Sequence, residues 1–272
     1  MEDAKKAVLV DEAFKKESAF APIQVFLPSR GKLYSQTSPL CDADFIEIKE
    51  MTAREEDILT SRVLLKKGIA IDKVLDNCIV NKNINQYDML VGDRNTILLA
   101  LRVSSYGADY TVKVSCPSCA ENQDYTFMLD QVNMKMLNVN PIEQHNNIFE
   151  FKLPKSEDII RFKLLTAGEE ADITKTQENY KRVIKSDIDN LVTSRMMRQI
   201  ISVNSNSNRE FVANYVSNMP IKDARAFRDY VELVEPNVDL RGNFSCVNCG
   251  EASIIDIPMT VEFFWPTGNR QA

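Results

Sequence analysis

Two pairs of cysteines with the same short spacing constrain the fold of this chain more than any other feature. Cys116 and Cys119 enclose Pro-Ser, Cys246 and Cys249 enclose Val-Asn, and each pair lies between short segments that alternate apolar and polar residues. Such alternation predicts a β-hairpin around each turn. Because one Cys-x-x-Cys turn offers two sulfur ligands, two turns supply the four that zinc prefers in structural sites. The sequence therefore predicts one closed zinc site with four cysteine ligands.

The distance between the pairs makes this predicted site a long-range clasp. Cys246 follows Cys116 by 130 residues, whereas the pairs of a compact ribbon are separated by about 15–20 residues. Other interpretations stay open: two independent redox dithiols, four reduced core cysteines, or a rubredoxin-like iron centre with the same ligands. We expect a structural zinc ion, with iron the less favoured metal.

The composition is typical of a soluble globular protein. Of 272 residues, 44% are hydrophobic and 26% are charged, and the net charge is −6. This length allows one large domain or two small ones. The net negative charge gives no sign of the basic surface that nucleic-acid binding requires. No apolar run approaches a membrane span, and the first residues lack the pattern of an export signal. We therefore expect the six cysteines to lie in a reducing compartment, which favours metal over disulfides.

A short motif occurs twice and indicates an internal duplication. Thr52-Ala53-Arg54-Glu55-Glu56 is echoed by Thr166-Ala167-Gly168-Glu169-Glu170, and each copy follows a strand-like segment, Phe45–Lys49 or Ile160–Leu164. A threonine with glutamate three residues later is a capping box, which predicts a helix start. We interpret the paired glutamates as caps and not as catalytic carboxylates.

Further landmarks keep the same order in both halves. A Leu-Pro step precedes each strand, and Asp93 and Asp223 each lie 23 residues before the first cysteine of their pair. We predict an N-terminal arm (1–22), a first repeat (23–140) and a second repeat (141–272). The second is longer between Glu178 and Asn208, where we expect an extended helix. The predicted class is α+β, with two mainly helical repeats whose short β-hairpins meet in a composite zinc ribbon.

No catalytic motif is found in the sequence. The chain has neither a glycine-rich phosphate loop nor a dinucleotide fingerprint. The single histidine, His145, lies in a polar segment without the pattern of a nucleophilic site, and we interpret it as a solvated loop residue. Cys78 lies in phase with apolar neighbours and is predicted to be a packed core thiol, while Cys41 stands outside the motifs. We expect no catalytic residue, no small-molecule substrate and no membrane contact.

Apolar residues near the two ends are the candidates for protein contact. Phe263, Phe264 and Trp265 are consecutive, and three such rings cannot all face one side of a strand. One or more of them would then meet a partner, although packing in the chain's own core is the equal alternative. Val8, Leu9 and Phe14 lie on one side of the N-terminal arm, which is either a docking segment or a frayed end.

Four motifs in a fixed order carry a family resemblance. They are Phe26-Leu27-Pro28-Ser29-Arg30-Gly31 with Tyr34, the Met51-Thr52-Ala53-x-Glu55-Glu56 helix start, the Cys116-Pro117-Ser118-Cys119 turn, and Ile257-Pro258-Met259-Thr260-Val261-Glu262-Phe263-Phe264-Trp265-Pro266. In this order the motifs resemble the baseplate hub and hub-assembly proteins of T4-type contractile-tailed phages.

The resemblance implies a non-enzymatic morphogenesis protein. Such a protein would act in the host cytoplasm during assembly, at the central hub of the tail baseplate, through contacts with other baseplate and tail proteins. It would be either a virion subunit or an assembly factor. The alternative from the residues alone is a zinc-ribbon regulatory protein that binds nucleic acid or transcription machinery, which the net negative charge disfavours.

Overall fold

The structure is a computed structural model that describes residues 21–184, 190–257, 259 and 261–264. The predicted N-terminal arm lies outside the described residues except for Ala21 and Pro22. Helices and short antiparallel strands make up the described part, so the predicted α+β class is confirmed. None of the helices in these ranges is both long and apolar enough to cross a membrane.

Eleven strands and eight α-helices are described. The strands are β1 (Ile23–Phe26), β2 (Phe45–Ile48), β3 (Asp109–Ser115), β4 (Asn122–Met128), β5 (Asn133–Lys135), β6 (Phe149–Lys152), β7 (Ile159–Phe162), β8 (Ile200–Val203), β9 (Asn237–Asp239), β10 (Arg241–Ser245) and β11 (Ala252–Asp256). The helices are α1 (Ala53–Thr60), α2 (Arg62–Lys66), α3 (Ala70–Cys78), α4 (Val91–Tyr106), α5 (Ala167–Ile184), α6 (Leu191–Gln199), α7 (Arg209–Ser217) and α8 (Ile221–Val234). Short 3-10 helices lie at Gln86–Asp88, Leu129–Gln131 and Val261–Phe264.

Each half of the chain opens with an antiparallel hairpin. Val25 of β1 lies opposite Ile46 of β2, and Phe151 of β6 lies opposite Ile160 of β7. β2 and β7 alternate exposed and buried residues, as expected for strands with one face on the core. The two strands predicted from sequence alternation are therefore confirmed.

A capping box begins the helix after each hairpin. At the start of α1, Thr52 N donates to Glu55 Oε2 at 2.9 Å and the reciprocal cap is present. At the start of α5, Thr166 N donates to Glu169 Oε2 and Glu169 N donates to Thr166 Oγ1, each at 3.3 Å. Because these bonds satisfy backbone groups that the first helical turn leaves free, both predicted helix starts are confirmed.

A buried aspartate on the last helix of each half holds the turn of the opening hairpin. Asp93 on α4 accepts hydrogen bonds from Ser29 N at 3.0 Å and from Ser29 Oγ and Tyr34 Oη at 2.6 Å. Asp223 on α8 accepts from two backbone N–H groups of the turn at 155–156, at 2.7 and 3.1 Å. Both aspartates are fully buried. Residues marked in the sequence only by equal spacing thus make corresponding contacts.

Backbone bonds and close packing join the two halves. β5 pairs with β9 across the junction. Val91 N donates to Leu165 O at 3.3 Å, and Gly92 lies so close to the second half that an added Cβ would be 1.8 Å from Pro236 O. No side chain larger than hydrogen fits there, so α4 lies against the backbone of the second half.

The segment between Glu178 and Asn208 differs from the sequence prediction. In place of one extended helix, the described residues contain the end of α5, the helix α6 and the strand β8, which pairs with β7. The pattern of apolar residues in Ile200–Val203 is too short to reveal its period by itself. The free edge of β7 therefore decides that this segment is a strand.

Candidate metal centre

Each cysteine pair lies in a tight turn at the tip of a hairpin, β3–β4 or β10–β11. In the first turn, Cys116 N donates to Glu121 O and Ala120 N donates to Cys116 O, both at 2.9 Å. The second turn repeats these bonds at 2.9 and 3.0 Å, with Cys246 in the corresponding position. The predicted hairpins are confirmed, and the two turns have the same backbone hydrogen bonds.

The two turns bring four sulfur atoms together from distant parts of the chain. All four lie within 4.8 Å of one another. The Sγ atoms of Cys116 and Cys249 are 3.7 Å apart, as are those of Cys119 and Cys246. Zinc–sulfur bonds of about 2.3 Å in a tetrahedron require sulfur separations of about 3.8 Å. Two of the sulfur separations match this value, and the other sulfurs are close enough for the four-cysteine centre to hold a single metal ion.

Aromatic packing between the hairpins sets this spacing. The rings of Tyr125 and Phe244 lie edge to face, with 5.3 Å between centroids. Phe127 lies directly over Gly242, where an added Cβ would be 2.3 Å from the ring. Because these contacts hold the two sheets face to face, the cysteine turns at their tips are brought to the same place.

Gln123 links the hairpins through its side-chain amide. Its Nε2 donates to Ser245 O at 3.1 Å, and its Oε1 accepts from Val247 N at 3.0 Å. The amide thus holds the backbone on both sides of Cys246. Sequence reasoning missed this residue, because a single polar residue within a short strand is too common to mark a contact between hairpins.

Polar hydrogens point at two of the four sulfurs. Ser118 N lies 3.4 Å from Cys116 Sγ, and Asn248 Nδ2 lies 3.7 Å from Cys119 Sγ. N–H groups at a sulfur stabilise its thiolate form, which is the form that binds metal. These donors come from both turns, so the second turn also contributes to a ligand of the first.

Burial and charge differ among the four thiols. Cys116 and Cys246 are buried, whereas Cys119 and Cys249 are exposed. The backbone N–H of Glu121 lowers the pKa of Cys119 to about 7. The backbone N–H of Glu251 acts in the same direction on Cys249, but desolvation and the neighbouring cysteines raise the pKa of that thiol to about 12. Thiolates this close repel one another, so a cation is needed to keep all four ionised.

The predicted partner contacts have a different outcome at each end. Phe263 and Phe264 are buried within the chain, with Phe263 against the ring of Tyr110 at 5.1 Å. The sequence argument treated these residues as part of a strand, but they lie in a 3-10 helix. The tighter turn of that helix lets adjacent rings enter the same cleft. This favours the core alternative. Trp265, Val8, Leu9 and Phe14 lie outside the described residues.

The cysteines outside the motifs occupy two different environments. Cys78 is buried, and desolvation raises the pKa of its thiol to about 12, which confirms the predicted core thiol. Cys41 is partly exposed and lies 3.3 Å from Nδ1 of His145. His145 lies in a loop, as predicted, but its side chain is only 21% exposed, so it is not the freely solvated residue that we expected. Its partner is 104 residues away in the chain, a separation at which no local pattern could reveal the contact.

The comparisons with known proteins agree with the motif resemblance. A family model described as T4 bacteriophage base plate protein matches residues 23–265. Neither the curated proteins nor the solved structures give a significant match. The matched range spans both cysteine turns and the capping-box helices, and it confirms the resemblance to T4-type baseplate proteins. The chain belongs to the T4 bacteriophage base plate protein family.

Proposed function

We propose that this protein is a non-enzymatic structural or assembly component of the central hub region of a phage tail baseplate. The family match over residues 23–265 carries the proposal. The chain acts through contacts with other baseplate and tail proteins, first in the host cytoplasm and then in the virion tail. It binds neither nucleic acid, nor membrane, nor a small-molecule substrate.

The four clustered cysteines hold a structural zinc ion in this proposal. Support comes from four sulfur donors at tetrahedral spacing and from N–H groups that favour the thiolates. A site with four protein ligands leaves no open position for a substrate, so the metal acts as a clasp. Iron would fit the same sulfurs and is the less favoured ion. Because each hairpin supplies two ligands, metal binding stabilises the junction of the halves directly.

We infer further that the halves, 23–140 and 141–272, are duplicated units. In support, both contain a hairpin, a capping-box helix, a second helix, a long last helix with a buried aspartate, and a cysteine hairpin, in that order. The clasp then joins equivalent positions of two related units. Such a site explains why neither hairpin needs a metal of its own.

The alternative function, binding of nucleic acid by a zinc ribbon, has little support from the charges of the ribbon. The hairpins at 109–128 and 239–256 contain six carboxylates and only two basic residues. Phosphate contacts need clustered lysine and arginine. A gel shift with mixed DNA and RNA at physiological salt separates the candidates, and salt-sensitive binding there would overturn the structural role.

A complementation experiment in the phage tests the proposed role. A nonsense mutation in the gene should yield lysates without complete baseplates by electron microscopy, and plasmid-borne wild-type protein should restore infectious particles. Cys116→Ser should restore far fewer particles because it removes a metal ligand. Ser118→Ala, in the same exposed turn, is the matched control and should restore them fully. Normal baseplates in the nonsense mutant would contradict the proposal.

Two measurements sharpen this result. Mass spectrometry of purified virions distinguishes a permanent subunit, which remains in the particle, from an assembly factor, which does not. Native mass spectrometry of the purified protein, with and without a chelator, identifies the metal at the four-cysteine centre. Loss of one zinc ion in Cys116→Ser, with no loss in Ser118→Ala, supports the clasp, whereas an equal zinc content in both variants would contradict it.

A further inference from the structure

A second group of metal-ligand side chains lies at the junction of the halves, away from the four-cysteine centre. Cys41 and Asp42 belong to the long turn between β1 and β2, and His145 belongs to the connector between β5 and β6. One ligand atom from each residue lies within 4.8 Å of the other two. A thiol, a carboxylate and an imidazole from two distant segments thus share one small volume.

The distances within this group suit a shared metal ion. Cys41 Sγ is 3.3 Å from His145 Nδ1 and 4.0 Å from Asp42 Oδ2. Zinc bonded to sulfur at about 2.3 Å and to nitrogen at about 2.0–2.1 Å would set those two ligands about 3.5 Å apart. The thiol and the imidazole are therefore within a few tenths of an ångström of ligand spacing. Asp42 Oδ2 lies by Nε2, the ring nitrogen that does not face the sulfur, so the carboxylate would have to rotate towards Nδ1 to share the ion.

The carboxylate keeps one oxygen available. Lys32 Nζ donates to Asp42 Oδ1 at 2.5 Å. The other oxygen, Oδ2, faces the histidine ring 3.6 Å from Nε2. Lys32 orients the carboxylate in the way that outer-shell partners orient metal ligands.

We propose that Cys41, Asp42 and His145 form a second metal site, for a divalent ion of the zinc type. The mixed sulfur, nitrogen and oxygen ligand set favours zinc, cobalt or nickel over calcium or magnesium. Three protein ligands leave a fourth position for water or for a side chain of a neighbouring protein. This differs from the four-cysteine centre, whose ligand shell is complete.

The site would fix the connector to the first half. Backbone contact already exists there, since Leu137 N donates to Pro28 O at 2.9 Å. A metal bridge from the turn at 41–42 to His145 would add a second attachment further along the connector. The rival explanation is a metal-free cluster, in which the imidazole only accepts or donates hydrogen bonds to the thiol and the carboxylate.

The test counts metal ions in the untagged full-length chain, in excess zinc, by native mass spectrometry. Wild-type protein should bind two ions, and Cys41→Ala, Asp42→Asn and His145→Asn should each bind one. Asn is chosen because Asp42 and His145 both have positive φ, at 53° and 57°, which asparagine tolerates. Asp44→Asn, an exposed neighbour, is the matched control and should keep two ions. The ion retained at the four-cysteine centre shows that a variant has folded.

Two spectroscopic readouts separate the sites. Because the chain has one histidine, nitrogen NMR of the imidazole reports this site alone, and its metal-bound nitrogen should shift on zinc addition even in Cys116→Ser. With cobalt(II), Cys41→Ala should lower the sulfur-to-cobalt absorption by about one fifth, because one of five bound sulfurs is lost. A single ion in wild-type and all variants, with an unchanged imidazole spectrum, would overturn the proposal and leave the metal-free cluster.

Discussion

In the first half of the chain a single bridge borders the opening hairpin, whereas in the second half the corresponding edge carries a full strand. Ile48 of β2 forms an isolated bridge with Ile79, which directly follows α3. β7 instead pairs along β8, which directly follows α6. In both halves the segment that directly follows a helix pairs with the edge strand of the hairpin. The edge of the opening hairpin is therefore paired over a longer stretch in the second half than in the first.

The buried aspartates show a second difference between the halves. Asp93 serves donors that are themselves buried, the backbone and hydroxyl of Ser29 and the hydroxyl of Tyr34. Asp223 serves backbone N–H groups of the exposed turn at 155–156. Water can replace an acceptor only where it can reach the donor. Loss of the Asp93 contacts should therefore lower the free energy of unfolding more than loss of the Asp223 contacts.

The largest expected effect concerns the feature that the halves share. Cys116→Ser and Cys246→Ser should each destabilise the protein by several kcal/mol, because each removes a ligand of the same metal ion. The double variant should cost little more than either single change. Chemical denaturation with metal present measures all three free energies of unfolding. Additive losses would mean that the pairs act as separate sites.

The aspartates provide the next largest effect and should distinguish the halves. Asp93→Ala should cost about 2–4 kcal/mol, and Asp223→Ala about 1 kcal/mol less, because only the first leaves buried donors without an acceptor. The measurement is the urea midpoint of each variant at constant metal concentration. Tyr34→Phe, which removes one of the three donors and also the acceptor of Leu90 N, should cost less than Asp93→Ala. An equal loss of stability in Asp93→Ala and Asp223→Ala would contradict the expected difference between the halves.

A carboxyl group of the second half should make stability depend on pH. Desolvation raises the pKa of Glu235 from 4.5 to about 7, with Glu170 and Glu232 adding to the shift and Lys135 opposing it. The folded state therefore binds a proton more tightly than the unfolded state, and this stabilisation is lost as pH rises from about 4.5 through 7. At the equivalent distance after Asp93 the first half has the neutral Ser105.

Glu235→Gln tests this difference. Above pH 7 the variant should be more stable than wild type by about 1 kcal/mol, a value reduced from the full shift because solvent partly reaches the side chain. The gain should vanish below about pH 5, where the wild-type carboxyl is protonated in the folded state and becomes so in the unfolded state. Thermal unfolding across this range measures the difference. A gain that persists unchanged at low pH would point to packing instead of titration.

The smallest effect compares the two cysteine turns. Ala120 and Gly250 occupy the same place in their turns, with φ of 58° and 72°. An added Cβ on Gly250 has nothing within 4 Å, so its cost is purely conformational. Gly250→Ala should destabilise by about 1 kcal/mol, and Ala120→Gly should be neutral or stabilise by about 0.5 kcal/mol. Denaturant midpoints with metal bound measure both. The same sign for both changes would show that the turns differ in backbone geometry.

The sequence by itself determined the features that depend on near neighbours along the chain. The hairpins, both capping boxes and the core position of Cys78 follow from periods and spacings of a few residues, and the structure agrees with each. The four cysteines that cluster in the structure were also marked in the sequence, since a Cys-x-x-Cys turn is a local motif. Their meeting was predicted because zinc needs four ligands and each turn offers only two.

Only the tertiary structure decided the contacts that depend on packing between distant segments. It gives Ile200–Val203 the conformation of a strand by offering the edge of β7, and it buries Phe263 where Arg102 Nε donates to its carbonyl at 2.7 Å. It also brings His145 to Cys41. Local patterns carry no information about such pairs, because burial and hydrogen bonding of these groups are set by the surfaces that the assembled elements present to one another.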